Sequence, residues 1–189
     1  MNKLKFPNKK MTKMQRLISG FLTVAVLTLA TDLVQAQRRR PPGTASLGEM
    51  KCQKIKGGAY EVINEDIPIA LEIFKAVAYL GDWNGKAIDQ KYPIQVACRL
   101  AAPGEKPKFK TLTLAFGFPD NHASSKGALV RLSVYKDGNF AGYKDVTFGQ
   151  QLLWPINVTN VRSIALEGEC KRSSGSSCPA IYFYQDILE

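Results

Sequence analysis

Apolar and polar residues alternate through most of the second half of the chain. In Thr111–Phe118 the side chains of Leu112, Leu114, Phe116 and Phe118 fall on one face at period two, and Val130, Leu132 and Val134 do the same in the next run. Each run therefore has one core-facing side. A polar break, Pro119 to Lys126, separates them. Asp137-Gly138 follows the second run; it is a pair that tolerates positive φ, and between β-rich runs it marks a hairpin into Phe140–Phe148, with Asn139 in the loop. Further on, Leu152, Trp154, Ile156 and Val158 alternate on one face, which assigns Trp154 to core packing. Ile164 and Leu166 continue the pattern, and Ile181–Tyr184 closes it.

Upstream, alternation around Ile55 and Ala59–Ile63 predicts one or two strands separated by Gly57-Gly58, and Tyr92–Leu100 predicts another. The stretch between them admits two readings. Asp66 can cap exposed N–H groups, Pro68 is tolerated in a first turn and Gly81 can terminate, so residues 67–80 are expected to hold one short helix with Leu71, Phe74, Val77 and Ala78 inward. Ile67, Ile69, Leu71 and Ile73 also alternate at period two, as a strand would. Short strands and turns at this spacing predict an all-β sandwich or barrel and not a βαβ array.

The N-terminus carries six Lys/Arg in its first sixteen residues, then the apolar run Leu17–Leu29, then Val34-Gln35-Ala36. That is the pattern of a secretory signal peptide over residues 1–36, cut after Ala36. The run falls short of the about 20 residues that span a bilayer, so no stable membrane span is expected after cleavage, and the location is expected to be secreted, periplasmic or extracellular. Residues 37–50, with three arginines, two prolines and two glycines, are expected to be a flexible lead-in, and 51–189 a single domain.

Charge changes the picture less than its total suggests. The net +10 falls to +5 without the leader and to +2 without Arg38, Arg39 and Arg40, which argues against a nucleic-acid partner. Cys52, Cys98, Cys170 and Cys178 all lie beyond the cleavage point, and an even number in an exported chain reads as disulfides. Three pairings are open. Because Cys170 and Cys178 bracket a Ser/Gly loop that a local bridge would close, Cys170–Cys178 and Cys52–Cys98 are expected, each contributing about 2 to 4 kcal/mol.

Thr111–Leu188 resembles the NPCBM type of carbohydrate-binding module, on the strand leading into Phe116-Gly117-Phe118-Pro119-Asp120-Asn121, the Leu-Ser-Val-Tyr-Lys-Asp-Gly hairpin, Trp154–Arg162 and the closing strand Ile181–Leu188. Tyr79–Trp83 is similar to the opening of such modules. The resemblance implies a galactose-binding-like jelly roll and a non-catalytic role in binding carbohydrate. Sugar recognition needs an aromatic plane and a few fixed polar groups. Trp83 and Tyr143 are candidates for the plane, with Tyr182 and Tyr184 as either platform or cover; Asp120, Asn121 and His122, in the loop ending a central strand, are candidates for the polar edge.

Catalysis has weaker support. His122 is the one histidine, and Ser124 and Ser125 are too near it in sequence to make the remote partnership of a triad. Glu167 and Glu169 share a strand face, where the paired carboxylates of a glycosidase would need a separation of roughly 5 to 9.5 Å, but such pairs more often form a solvated exterior. With no Gly-rich phosphate loop, metal-binding helix or calcium-loop pattern, neither a cofactor nor a metal is expected. The sequence therefore points to an exported carbohydrate-binding protein whose partner is a carbohydrate or cell-envelope glycan. The alternative is a structural or protein-interaction module of the cell envelope without a sugar site.

Overall fold

The structure is a computed structural model that describes residues 41–82 and 86–189. The leader, Arg38–Arg40 and Trp83 lie outside the described residues. Two antiparallel sheets face each other. The first is ordered β10 (Leu152–Asn157), β7 (Thr111–Gly117), β13 (Ile181–Leu188), β4 (Glu72–Gly81) and β3 (Ala59–Ile69), with the short β1 (Ala45–Ser46) against the end of β13. The second is ordered β2 (Lys51–Lys56), β6 (Ile94–Arg99), β11 (Ser163–Arg172), β8 (Leu129–Lys136) and β9 (Asn139–Thr147). A two-stranded piece, β5 (Ala87–Asp89) with β12 (Ser177–Pro179), completes the set.

The alternating residues fill the space between the sheets. Leu112, Leu114, Phe116 and Phe183 come from one sheet and Val96, Val130, Leu132, Val134, Ile164 and Leu166 from the other, all buried in one cluster. Along β6 and β11 buried and part-exposed positions alternate, as a sandwich requires. Trp154 packs half-buried against this core, as its period suggested. Asp137 and Gly138 have φ of 46° and 81° and form the two-residue turn of the β8–β9 hairpin, Lys136 opposite Asn139. Gly58 is required for another reason: a Cβ there would lie 1.8 Å from the Gly81 carbonyl oxygen, where two backbones meet.

Both disulfides form in the expected pairing. Cys52 and Cys98 face each other across β2 and β6, and Cys170 joins Cys178 around the Ser/Gly loop.

Two expectations are corrected. The helix over 67–80 is a β-hairpin, β3 and β4, turning at Ala70-Leu71. Its period-two pattern outweighs the cap-like Asp66, Pro68 and Gly81, because the strand pairs with β13 and inserts Ala78 and Leu80 into the core. Residues 45–50, placed in a flexible lead-in, instead carry β1 and a 3-10 turn that buries Leu47 completely. Asp186, 2% exposed, holds this segment: its Oδ2 accepts the Ser46 hydroxyl at 2.7 Å, the Gly48 N–H at 3.1 Å and the Tyr60 hydroxyl at 2.8 Å.

Candidate functional site

The Asp120–His122 loop is folded onto the first sheet. The Asp120 carboxylate accepts the backbone N–H groups of Ala70 (3.1 Å) and Leu71 (2.8 Å), and its own N–H donates to the Pro68 carbonyl. Ala70 and Leu71 have φ of 53° and 66°, a left-handed pair with no glycine, so Asp120 stabilises a costly turn. The His122 Nδ1 accepts the Ser124 N–H at 3.2 Å, and the Ser125 hydroxyl donates to the Pro119 carbonyl. These bonds are local and shape the loop. Asn121 is exposed at the same end.

Tyr143 is elsewhere, on the outer face of the second sheet. Because Val130, Leu132 and Val134 point inward, Arg131, Ser133 and Tyr135 point outward, and the β8–β9 register sets Asp145 opposite Arg131 and Tyr143 opposite Ser133. Tyr143 is 47% exposed and Phe140, beside it, 59%. Phe140 meets Tyr135 edge-on at 5.7 Å between centroids and Tyr143 at 6.5 Å. Three aromatic rings thus lie on one open face.

Polar groups around these rings are fixed. Arg131 sits 3.8 Å from the Tyr143 centroid and binds Asp145 through two bonds of 2.8 Å. That bidentate contact holds the Asp145 carboxyl below the usual carboxylate range. On β11, Glu167 accepts the Tyr135 hydroxyl at 3.1 Å and the Gln95 amide. Burial, followed by the Glu167 charge, raises the Tyr135 phenol above its ordinary value. Glu169 pairs with Lys171 at 3.0 Å. Each carboxylate of the same-face pair is therefore engaged with a neighbouring donor.

The other aromatic pair serves as cover. Tyr182 is 4% exposed and packs on Tyr79, while Tyr184 stacks on Phe74 at 4.4 Å, in a small apolar cluster formed by β3, β4 and β13. A hollow of about 390 Å³ lies elsewhere, lined by Gly57, Gly58, Asp82, Asp89, Tyr92 and neighbours. Asp82 there accepts the Ala87 N–H and Asp89 the Lys91 N–H, so both carboxylates hold local backbone.

Of the residues singled out in sequence, the structure groups Asp120, Asn121 and His122 at one end and sets Tyr143 on a sheet face apart from them. Tyr135, Phe140, Arg131 and Gln95 were missed as a set. Part of their signal was present: the inward residues of β8 leave Arg131 and Tyr135 outward, and the Asp137-Gly138 turn sets Phe140 opposite Tyr135, but a bulge between Val134 and Tyr135 shifts the register beyond it, and Gln95 lies on another strand.

No family model and no curated protein matches the chain. Solved structures do. The tandem CBM51 modules of Sp3GH98, a family 98 glycoside hydrolase from Streptococcus pneumoniae SP3-BS71, align with a TM-score of 0.55 at 11% identity over 77% of this chain and 46% of that one. The M60 catalytic domain with the CBM51-1 and CBM51-2 domains of Clostridium perfringens ZmpB aligns with a TM-score of 0.52 at 11% identity, over 77% of this chain and 15% of that one. The chain thus spans less than half the length of either. At this identity what is shared is the fold, the galactose-binding-like jelly-roll sandwich of carbohydrate-binding modules.

Proposed function

We propose that this protein is an exported, non-catalytic glycan-binding module of NPCBM-like type, and that it holds its ligand on the outer face of the second sheet. One observation carries the reading: Tyr143 and Phe140 stand exposed beside Tyr135, with Arg131, Gln95 and Glu167 fixed around them by hydrogen bonds. An aromatic surface with preset polar groups is what the apolar and hydroxyl sides of a sugar ring require. Its polar groups are held in place by bonds within the protein, which lowers the cost of binding. Two disulfides and the signal-like leader support export. The fold is shared with the CBM51 modules of a family 98 glycoside hydrolase, which favours carbohydrate over other ligands by analogy.

The test is a glycan array followed by calorimetry with the strongest hit, comparing the protein with Tyr143→Ala and Phe140→Ala. Each substitution is expected to weaken binding about tenfold or more, the scale for an aromatic anchor, while leaving Tm nearly unchanged. Absence of binding to any glycan would replace this reading with that of a structural or protein-interaction module of the envelope.

A further inference from the structure

The same outer face continues beyond the aromatic rings to a basic end. Strand register places Lys51 directly opposite Arg99, and Arg99 opposite Ser163, in one outward row across β2, β6 and β11. In the next row Ala97 lies opposite Ala165 and Ala165 opposite Tyr135. On β6 and β11 the two alanines leave a trough between the basic row and the Gln95–Glu167 pair, flanked in the same row by Gln53 and Tyr135. Its basic side opens into a hollow of about 160 Å³ lined by Lys51, Gln53, Ala97, Arg99 and Ser163.

Lys51 and Arg99 are both exposed, and neither has an acidic partner among the described residues. Like charges directly opposite on neighbouring strands destabilise a sheet. Lysines on the edge strand β2 have an ordinary use in blocking edge-to-edge pairing. Arg99 is not on the edge, so that use does not account for it. The Asp137 carboxylate, which borders this row at Ser163, is turned to the N–H groups of Arg162 and Ser163 and to the Ser163 hydroxyl. Two cations set together at a cost, over a hollow, are a local rule broken in the way binding sites break it.

Building on the glycan-binding reading above, we infer that Lys51 and Arg99 form an anion subsite, and that the ligand is an acidic glycan whose carboxylate or sulfate group docks there while a neighbouring ring lies over Ala97 and Ala165 against Tyr135. By strand spacing and rise, Arg99 is roughly 12 Å from Tyr135, so one chain of a few sugar units reaches both. The guanidinium fork of Arg99 suits either acid group, and the Lys51 ammonium adds a second point charge.

The test compares polygalacturonate, a sulfated galactan and an unsubstituted galactan by affinity electrophoresis and calorimetry over a salt series. One of the acidic polymers is expected to bind about tenfold or more tightly than the neutral galactan, with an advantage that shrinks as salt rises, and the tighter of the two identifies the acid group. Lys51→Gln and Arg99→Gln are each expected to remove about tenfold from acidic-glycan binding and nothing from neutral-glycan binding, with Tm kept or raised. Arg99→Lys should restore part of the loss. Equal affinity for acidic and neutral galactans, no effect of either Gln variant, or equally tight binding of duplex DNA would overturn the subsite and leave glycan binding standing. Failure to bind any of the three polysaccharides would overturn the subsite too, and with no binding on the glycan array it would overturn both.

Discussion

Arg131 lies with its guanidinium 3.8 Å from the centre of the Tyr143 ring, and the same group is fixed to Asp145 by two bonds of 2.8 Å. The ring is thus held on one side by a planar cation that cannot easily rotate. Removing that cation should free the ring without disturbing the core. For Arg131→Leu we expect glycan affinity to fall severalfold and Tm to stay close to that of the parent, because the site is open to solvent. Asp145 titrates below the ordinary carboxylate value of about 3.9. With a depressed folded pKa, the pair's contribution is present above that ordinary value and is lost as pH falls through the lower folded one. Binding should therefore persist at mildly acidic pH; calorimetry across pH 4 to 7, as an approximate window set by that carboxylate, checks it.

A second expectation concerns alkaline pH. Burial pushes the Tyr182 phenol up to about 12, helped by the charge of Glu65 and by Tyr79. Tyr60, Tyr79, Tyr135 and Tyr184 are raised too, in each case chiefly by burial. A raised folded pKa adds stability that is complete below the ordinary value of about 10 and is lost as pH rises through the folded value. Stability should accordingly decline between about pH 10 and 12, and absorbance titration should show a late-ionising group of tyrosines. In Tyr182→Phe the decline should be shallower; an unchanged slope would mean that Tyr182 is not among the groups responsible.

Much of the fold was legible because the period-two pattern survives in Leu112–Phe118 and Val130–Val134, where the inner face is fully buried. The hairpin of β3 and β4 was misread for a definite reason. Its turn residues, Ala70 and Leu71, carry no turn signature, and the carboxylate that stabilises them is 50 and 49 residues away. Likewise Leu47 is ordered through Asp186, more than a hundred positions downstream. At the candidate site, Tyr143 was visible as an aromatic in a strand. What it stands beside depends on register across β6, β11, β8 and β9, which no local pattern encodes.

The two disulfides should differ in weight. Cys52 and Cys98 are 46 residues apart, Cys170 and Cys178 only 8. Loop-closure entropy makes the first worth about 4 kcal/mol and the second about 2.5 kcal/mol at 25 °C. The first also ties the edge strand β2 to β6, where few buried side chains hold it. Denaturant melts of Cys52→Ala/Cys98→Ala and Cys170→Ala/Cys178→Ala should therefore rank in that order. The reverse ranking would show that the loop closed by Cys170–Cys178 matters for native packing and not only for the unfolded chain.

Asp120 separates the two candidate locations of the site. Its carboxylate accepts the N–H groups of Ala70 and Leu71, whose positive φ is costly without glycine. Asp120→Ala leaves both donors without that acceptor at a hairpin tip, for an expected loss of about 1 to 3 kcal/mol. Asp120→Asn keeps one acceptor oxygen and should lose roughly half as much. Adding Leu71→Gly to Asp120→Ala should recover about 1 kcal/mol, since glycine adopts that φ freely and the Leu71 side chain, 96% exposed, packs on little. None of these changes touches Tyr143, Phe140 or Arg131. If the ligand lies on the second sheet, glycan affinity below the melting transition should match the parent in all three variants. A tenfold loss of affinity in Asp120→Asn, at a temperature where that variant is fully folded, would move the binding site to the Asp120–His122 loop.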